Sequence, residues 1–271
     1  MSSNKPLVSV IIPSYNRFST LNAAIQSIQD QTYPNIEIIV VNDASTDNDY
    51  YSKRIKGVTM IHLSKNTREI FGYPCAGYVR NIGARISQGE YLAFLDDDDI
   101  WLPRKIETQI EALTNGAVGG VSAPPVSMSC TDGYIGYEPW HYLLGSPNSD
   151  SGLKIYNKEH YFDILCNIYD KDTSAAAVAD STKFNLSRDG FPKIWCEEFI
   201  NIHNCLITSS VVMKRALFEK MSGFRELRNG EEDYDLWKRA VNSGESVVYI
   251  DEPQFYYLLK TPAAARSAAP L

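Results

Sequence analysis

Residues 91–103 read YLAFLDDDDIWLP, so a five-residue apolar run passes directly into four adjacent carboxylates, Asp96, Asp97, Asp98 and Asp99. The apolar run has the pattern of a strand buried on both faces. The carboxylates therefore sit at the carboxyl end of a core strand, the edge at which open α/β sheets bind ligands. Four such charges repel one another, and partial burial sharpens the repulsion. In an extended segment side chains alternate, so Asp96 and Asp98 are expected to point one way, Asp97 and Asp99 the other. One of these pairs can share a hard divalent cation, which prefers carboxylate oxygens.

Other chemistry-bearing residues fall into similar positions. PSYNR (13–17) follows the apolar run LVSVII (7–12), and NDASTD (42–47) follows IEIIVV (36–41). Asp43 and Ser45 are ordinary turn or cap residues taken singly. Three polar clusters at the ends of parallel strands, however, are expected to line one crevice, and that convergence points to a nucleotide site. Arg80 and Asn81 lie inside the helical pattern that precedes the acidic strand. Glu231, Glu232 and Asp233 stand before an amphipathic stretch, where the helix dipole favours negative charge.

The elements that position these groups read as an alternation. Strands are expected at 7–12, 36–41, 59–63 and 91–95, and helices after residue 20, over 75–87 and over 104–113. Strand–helix alternation without hairpin turns predicts right-handed βαβ units and a largely parallel sheet. Between residues 122 and 198 the rhythm is lost, as in a lid and acceptor region or in simple loop structure. Regularity returns with a strand at 205–213, short helices at 215–221 and 230–240, and a last strand at 247–250. The tail from residue 261 (TPAAARSAAPL) is small, core-free and expected to be disordered.

The series VSVIIPSYNR, AIQSIQDQTYPNIEIIVVNDASTD, VRNIGARISQGEYLAFLDDDDIWLP and GFRELRNGEEDYDLWKRA resembles the inverting glycosyltransferases of family 2, which have the GT-A fold. The likeness covers about two thirds of the chain, in order, and omits the middle region. It implies an α/β, Rossmann-like three-layer fold with a central, mostly parallel mixed sheet and a loop-rich acceptor region. Residues 1–121 would form the nucleotide-sugar half, and 122–260 the acceptor and catalytic-base half of the same domain.

By the same resemblance, Asp43 contacts the nucleotide base, although this chain has Asn42 before it where many members have a second aspartate. Pro13, Tyr15 and Arg17 approach the base or ribose, and Arg80 the diphosphate. The acidic run is the Asp-x-Asp motif. Asp98 and Asp96 hold Mn²⁺ or Mg²⁺, and Asp96 or Asp97 touches the ribose. The base that deprotonates the acceptor hydroxyl is Glu232 or Asp233. The implied reaction is an inverting transfer from a nucleotide-diphospho sugar, most simply a UDP-sugar, to a glycan, lipid-linked or protein acceptor.

Composition bounds the alternatives. The chain has 271 residues, 44% of them hydrophobic, and a net charge of −7 from 26 basic and 33 acidic side chains. That balance argues against nucleic acid as partner. No apolar run reaches transmembrane length, and the first residues lack the features of a secretory signal. Five cysteines without CxxC spacing suit a reducing, cytoplasmic setting. A nucleotidyltransferase is expected to carry a glycine-rich, basic phosphate loop near the N-terminus, and PSYNR has no glycine. A non-catalytic binding domain is the other alternative, opposed by the complete acidic run and the Glu-Glu-Asp triplet. Among remaining polar and aromatic residues, His62 reads as structural and His203 as a group that can reach the metal or acceptor. Trp140, Tyr142, Tyr156 and Tyr161 are candidates for stacking on a sugar ring.

Overall fold

The computed structural model describes residues 5–114, 117–118, 121–122, 126–137, 154–157, 191–228 and 230–259. The amino-terminal part runs β1 (Val8–Ser14), α1 (Phe18–Gln29), β2 (Ile36–Asn42), α2 (Asp49–Ser52), β3 (Val58–His62), α3 (Thr67–Phe71), α4 (Ala76–Ile86), β4 (Tyr91–Phe94), β5 (Ile100–Trp101) and α5 (Lys105–Thr114). Then follow β6 (Ala117–Val118), β7 (Val121–Ser122), β8 (Val126–Tyr137), β9 (Lys154–Ile155), β10 (Ile194–Trp195) and α6 (Glu197–Ile200). A 3₁₀ turn (Thr208–Ser210), β11 (Val212–Lys214), α7 (Arg215–Lys220), α8 (Glu232–Asn242) and β12 (Ser246–Leu259) complete the described chain.

Local sequence explains the early elements. Leu21, Ala24, Ile25 and Ile28 recur at helical spacing and are all buried. The strands β1 and β2 are rich in Val and Ile, which suit a pleated, packed surface. These strands enter a ten-stranded mixed sheet of order β10-β12-β8-β11-β4-β1-β2-β3, with β5 added to β12 and β9 to β8. β1 pairs in parallel with β2 and β4, β2 with β3, and β8 with β12. β11 runs antiparallel between β4 and β8. Strands from both sides of residue 121 thus share one sheet.

Alternating side chains feed two cores. On one face Val8, Val10, Ile12, Ala93 and Leu95 pack with α1 and α5 residues such as Leu21, Ile25, Ile106 and Ile110. On the other, Ile11, Leu92, Phe94 and Met213 meet Leu217, Phe218, Leu236 and Trp237 of α7 and α8. Helix, sheet and helix make three layers, and each fully buried large side chain contributes about 2 kcal/mol to holding them.

Three sequence expectations are corrected. Residues 205–213 do not form one strand: only Val212–Lys214 joins the sheet, after the 3₁₀ turn. The hydroxyls of Thr208, Ser209 and Ser210 take local and side-chain partners that compete with ladder pairing. The last strand is far longer than 247–250, because β12 continues through register shifts around Pro253. Finally, the featureless middle holds the twelve-residue β8. Its buried Ser129, Thr131 and Asp132 imitate a loop in the sequence. Trp140, His141, Tyr142, His160, Tyr161, Cys166 and the tail 261–271 lie outside the described residues.

Candidate active site

Parallel register brings the first two polar loops side by side. Ser14 lies opposite Asn42, and Asp43 N donates to Ser14 O at 2.9 Å. Asn16, at φ +53°, takes Thr46 N at 2.8 Å and Asp47 N at 3.2 Å on its Oδ1. Asn tolerates this left-handed conformation because its short polar side chain bonds locally. Asn42 is fully buried, accepts from Ser45 N at 2.9 Å and pairs with His62 Nδ1 at 3.0 Å. It shapes the loop and does not line the cleft, and His62 is structural as expected.

The acidic run is not extended. Asp99 N donates to Asp96 O at 3.1 Å and closes a turn, so the simple alternation gives way to four different environments. Asp97 is buried and accepts from Ser14 Oγ at 2.7 Å and Arg17 Nη1 at 2.9 Å. Burial raises its pKa while Arg17 and Ser14 pull it back. Asp99 is fully buried beside Ser209 Oγ (2.5 Å) and Leu258 N (3.3 Å). Burial, and then the charge of Asp96, push its carboxyl well above the usual range. Asp98 takes Arg17 Nη1 at 2.7 Å, and Asp96 takes Arg80 Nη2 at 2.6 Å. These two keep side-chain exposures of 18% and 30%, enough to meet a ligand.

Arg80 of α4 is the hinge pin between the acidic turn and α8. Only 4% exposed, it donates to Asp96 and, through Nη1 at 2.8 Å, to Glu232 Oε1. Burial opposes its charge, but Asp96 and Glu232 outweigh that and hold the guanidinium above its usual pKa. Its Nε is buried without a partner. The absence of a side chain at Gly77 lets Glu232 come this close, since a Cβ there would stand 2.9 Å from Glu232 Cγ and 3.0 Å from Phe224 Cβ. Asn81 reinforces the docking by exchanging two hydrogen bonds with the Phe224 backbone, at 2.8 and 2.9 Å.

Glu232 and Asp233 open α8 but differ. Glu232 is committed to Arg80. Asp233 accepts from Thr208 Oγ1 at 2.9 Å and from Tyr234 N at 2.6 Å. Burial lifts its pKa to about 6, against the pull of Arg80 and Thr208 and with some help from Glu232.

A cleft of about 380 Å³ opens at this sheet edge. Pro13, Tyr15, Arg17, Asp43, Arg80, Asp96, Asp97 and Asp98 all line it, so the residues read from the sequence as donor-side converge. Glu232 and Asp233 do not line it and stand behind Arg80. Sequence reasoning missed Asn66, Thr67, Arg68 and Cys75 of the cleft wall. Asp43 is built into that wall: its carboxylate accepts from Thr67 N (2.8 Å), Thr67 Oγ1 (2.7 Å) and Asn66 Nδ2 (3.1 Å). Burial raises the pKa of Asp43 and the Thr67 bonds lower it. The signal was the N-cap Asn66 ahead of α3, whose side chain accepts from Arg68 N at 2.9 Å. Tyr156 is buried in the core against Tyr257, and neither it nor His203 lines the cleft.

Comparison with known proteins agrees with this arrangement. The family model described as Glycosyl transferase family 2 matches residues 9–218. A UDP-Glc:alpha-D-GlcNAc-diphosphoundecaprenol beta-1,3-glucosyltransferase of Escherichia coli, WfaP, is 41% identical over 107 residues, 38% of this chain and 40% of that protein. The matches span less than two thirds of the curated relatives' own length, from 17% to 61%. Among solved structures, S. aureus TarS 1–349 in complex with UDP superposes with a TM-score of 0.57 at 18% identity, over 93% of this chain and 60% of that one. The mannosyltransferase PcManGT of Pyrobaculum calidifontis, in complex with GDP-Man and Mn²⁺, gives 0.55 at 18% identity, over 96% and 59%. The fold is the Rossmann-like GT-A arrangement of these neighbours, and the chain belongs to glycosyl transferase family 2.

Proposed function

We propose that the chain transfers a sugar from a UDP-sugar to an acceptor hydroxyl in one inverting displacement, with Asp233 as the base. The carrying observation is the convergence of Asp43, Arg80 and the acidic turn on one cleft, with a second carboxylate of raised pKa just behind it. The E. coli relative named for UDP-Glc and a diphosphoundecaprenol-linked sugar supports UDP as nucleotide and a lipid-linked sugar as acceptor. Among the described residues no helix is long and apolar enough to cross a membrane, so such an acceptor would be met at the membrane surface. The described cysteines Cys75, Cys130, Cys196 and Cys205 are free, which supports a reducing, cytoplasmic setting.

Asp98 and Asp96 would hold Mn²⁺ or Mg²⁺. They fit such an ion: both offer hard oxygens, both line the cleft, and both keep some exposure. Among the described residues no group of three or more His, Cys, Asp or Glu is arranged around one point. Substrate phosphates and water complete the shell of such ions when the protein gives one or two carboxylates. When bound, the ion supplies positive charge against the departing nucleoside diphosphate.

The chain's own groups do the rest. Three hydrogen bonds occupy most of the acceptor capacity of Asp43 and leave room for one base N–H. Tyr15, 42% exposed at the lip, offers a ring to the base or ribose. Arg17 and Asp97 fix the loop rather than reach for the nucleotide. Asp233 takes the acceptor proton: a carboxylate with pKa near 6 is both ionised at neutral pH and basic enough to act. Glu232 keeps Arg80 in place. Asp233→Asn is predicted to keep UDP binding by calorimetry while UDP release from donor falls at least about a hundredfold. Full turnover in that variant removes Asp233 as the base.

A further inference from the structure

We infer that Thr208 is a positioning residue for Asp233, and that the turn it opens holds the base in register with the donor-side carboxylates. This rests on the reading of Asp233 as the base. The turn Thr208–Ser210 lies between the acidic turn and α8. Thr208 is 4% exposed, and its hydroxyl donates to Asp233 Oδ2 at 2.9 Å. The next hydroxyl, on the fully buried Ser209, accepts from Asp96 N at 3.1 Å and donates to Asp99 Oδ2. Two successive side chains thus grip the base on one side and the acidic turn on the other.

The turn is itself anchored. Trp101 Nε1 donates to Ser209 O at 2.9 Å, and Gln109 Nε2 donates to Ser210 O at 2.9 Å. Both donors come from β5 and α5, which follow the acidic run in the chain. Meanwhile Tyr234 N holds Asp233 Oδ1 at 2.6 Å. Among the described residues each carboxylate oxygen takes one bond, which restrains the carboxylate's rotation and leaves a second lone pair for a substrate proton. The charged groups that face Asp233 are Arg80 from α4 and Glu232 from α8 itself. Arg80 and the Thr208 hydroxyl favour the ionised form, whereas burial and Glu232 oppose it. Removing the hydroxyl therefore loosens the group and disfavours its charge together.

The test is ¹³C NMR of the full chain labelled at the aspartate carboxyls, titrated from about pH 4 to about pH 9. The Asp233 signal is assigned by its loss in Asp233→Asn. The expected midpoint is about 6 in the natural chain, higher in Thr208→Val and restored in Thr208→Ser. With UDP-glucose and Mn²⁺, and UDP release as readout, Thr208→Val should lose about tenfold at acidic pH, less at alkaline pH, with donor KM unchanged. An unchanged Asp233 midpoint in Thr208→Val, or equal shifts in the Val and Ser variants, overturns the inference. Turnover by Asp233→Asn would instead remove the base reading, and the NMR midpoint keeps the two failures apart.

Discussion

Four neighbouring aspartates sit in four different environments, and substitution should separate their contributions. Asp98 is partly exposed and shares Arg17 with Asp97. Asp98→Ala should leave thermal unfolding nearly unchanged and lose the metal-dependent part of nucleotide binding. Asp97 ties Ser14 and Arg17 to the turn from a buried position. Asp97→Ala should cost about 2 kcal/mol of stability, read by denaturant unfolding. Asp233 has a pH signature. Its pKa is raised in the fold from 3.8 to about 6, so its contribution to stability is present below the lower value and lost as pH rises through the higher. Asp233→Asn should therefore stabilise the chain at about pH 8, by up to about 3 kcal/mol, with the gain vanishing toward about pH 4. Residue types were legible in the sequence: the acidic run follows β4, Asp43 follows β2 and the Glu-Asp pair opens α8, although the run turns instead of extending and the pair stands outside the cleft lining. Their division of labour was not, because it depends on which partner reaches each carboxylate, and Ser14, Ser209 and Leu258 lie far away in the chain.

At the scale of elements, the site depends on α4 and α8 meeting closely. Gly77 sits inside α4, where alanine is intrinsically better by about 1 kcal/mol. A Cβ at that point would press on Glu232 and Phe224. Gly77→Ala should thus destabilise by about 1–3 kcal/mol despite its helix propensity and reduce turnover, because Glu232 must shift away from Arg80. A more stable variant would show that the two helices have slack. Periodic helices such as α1 and α4 were readable from apolar spacing. The 3₁₀ turn at Thr208 was not, since CLITSSVVM has the composition of a strand, and it is the distant Asp233 and Asp99 that draw the Thr208 and Ser209 hydroxyls away while Ser210 bonds locally to Ile207 O. Strand β8 was hidden for the opposite reason: it buries polar residues, of which Asp132 takes Tyr249 at 2.9 Å inside the sheet and Ser129 takes Gln109 of α5 at 3.2 Å.

At the scale of the molecule, an acidic chain sets two of its arginines against its densest run of carboxylates. Arg17 and Arg80 meet the acidic turn inside the cleft, against a net charge of −7. These two arginines partly offset the four carboxylates they pair with, Asp97 and Asp98 for Arg17 and Asp96 and Glu232 for Arg80. The strand alternation and parallel edge followed from sequence, whereas the antiparallel insertion of β11 required the fold itself. The most direct test of the central claim is calorimetric titration of the chain with UDP, GDP, dTDP and CDP, each with and without Mn²⁺. UDP is expected to bind, to require the metal for binding, and to lose that binding in Asp98→Ala. UDP binding of equal strength with and without Mn²⁺, or no nucleotide binding at all, would contradict that claim.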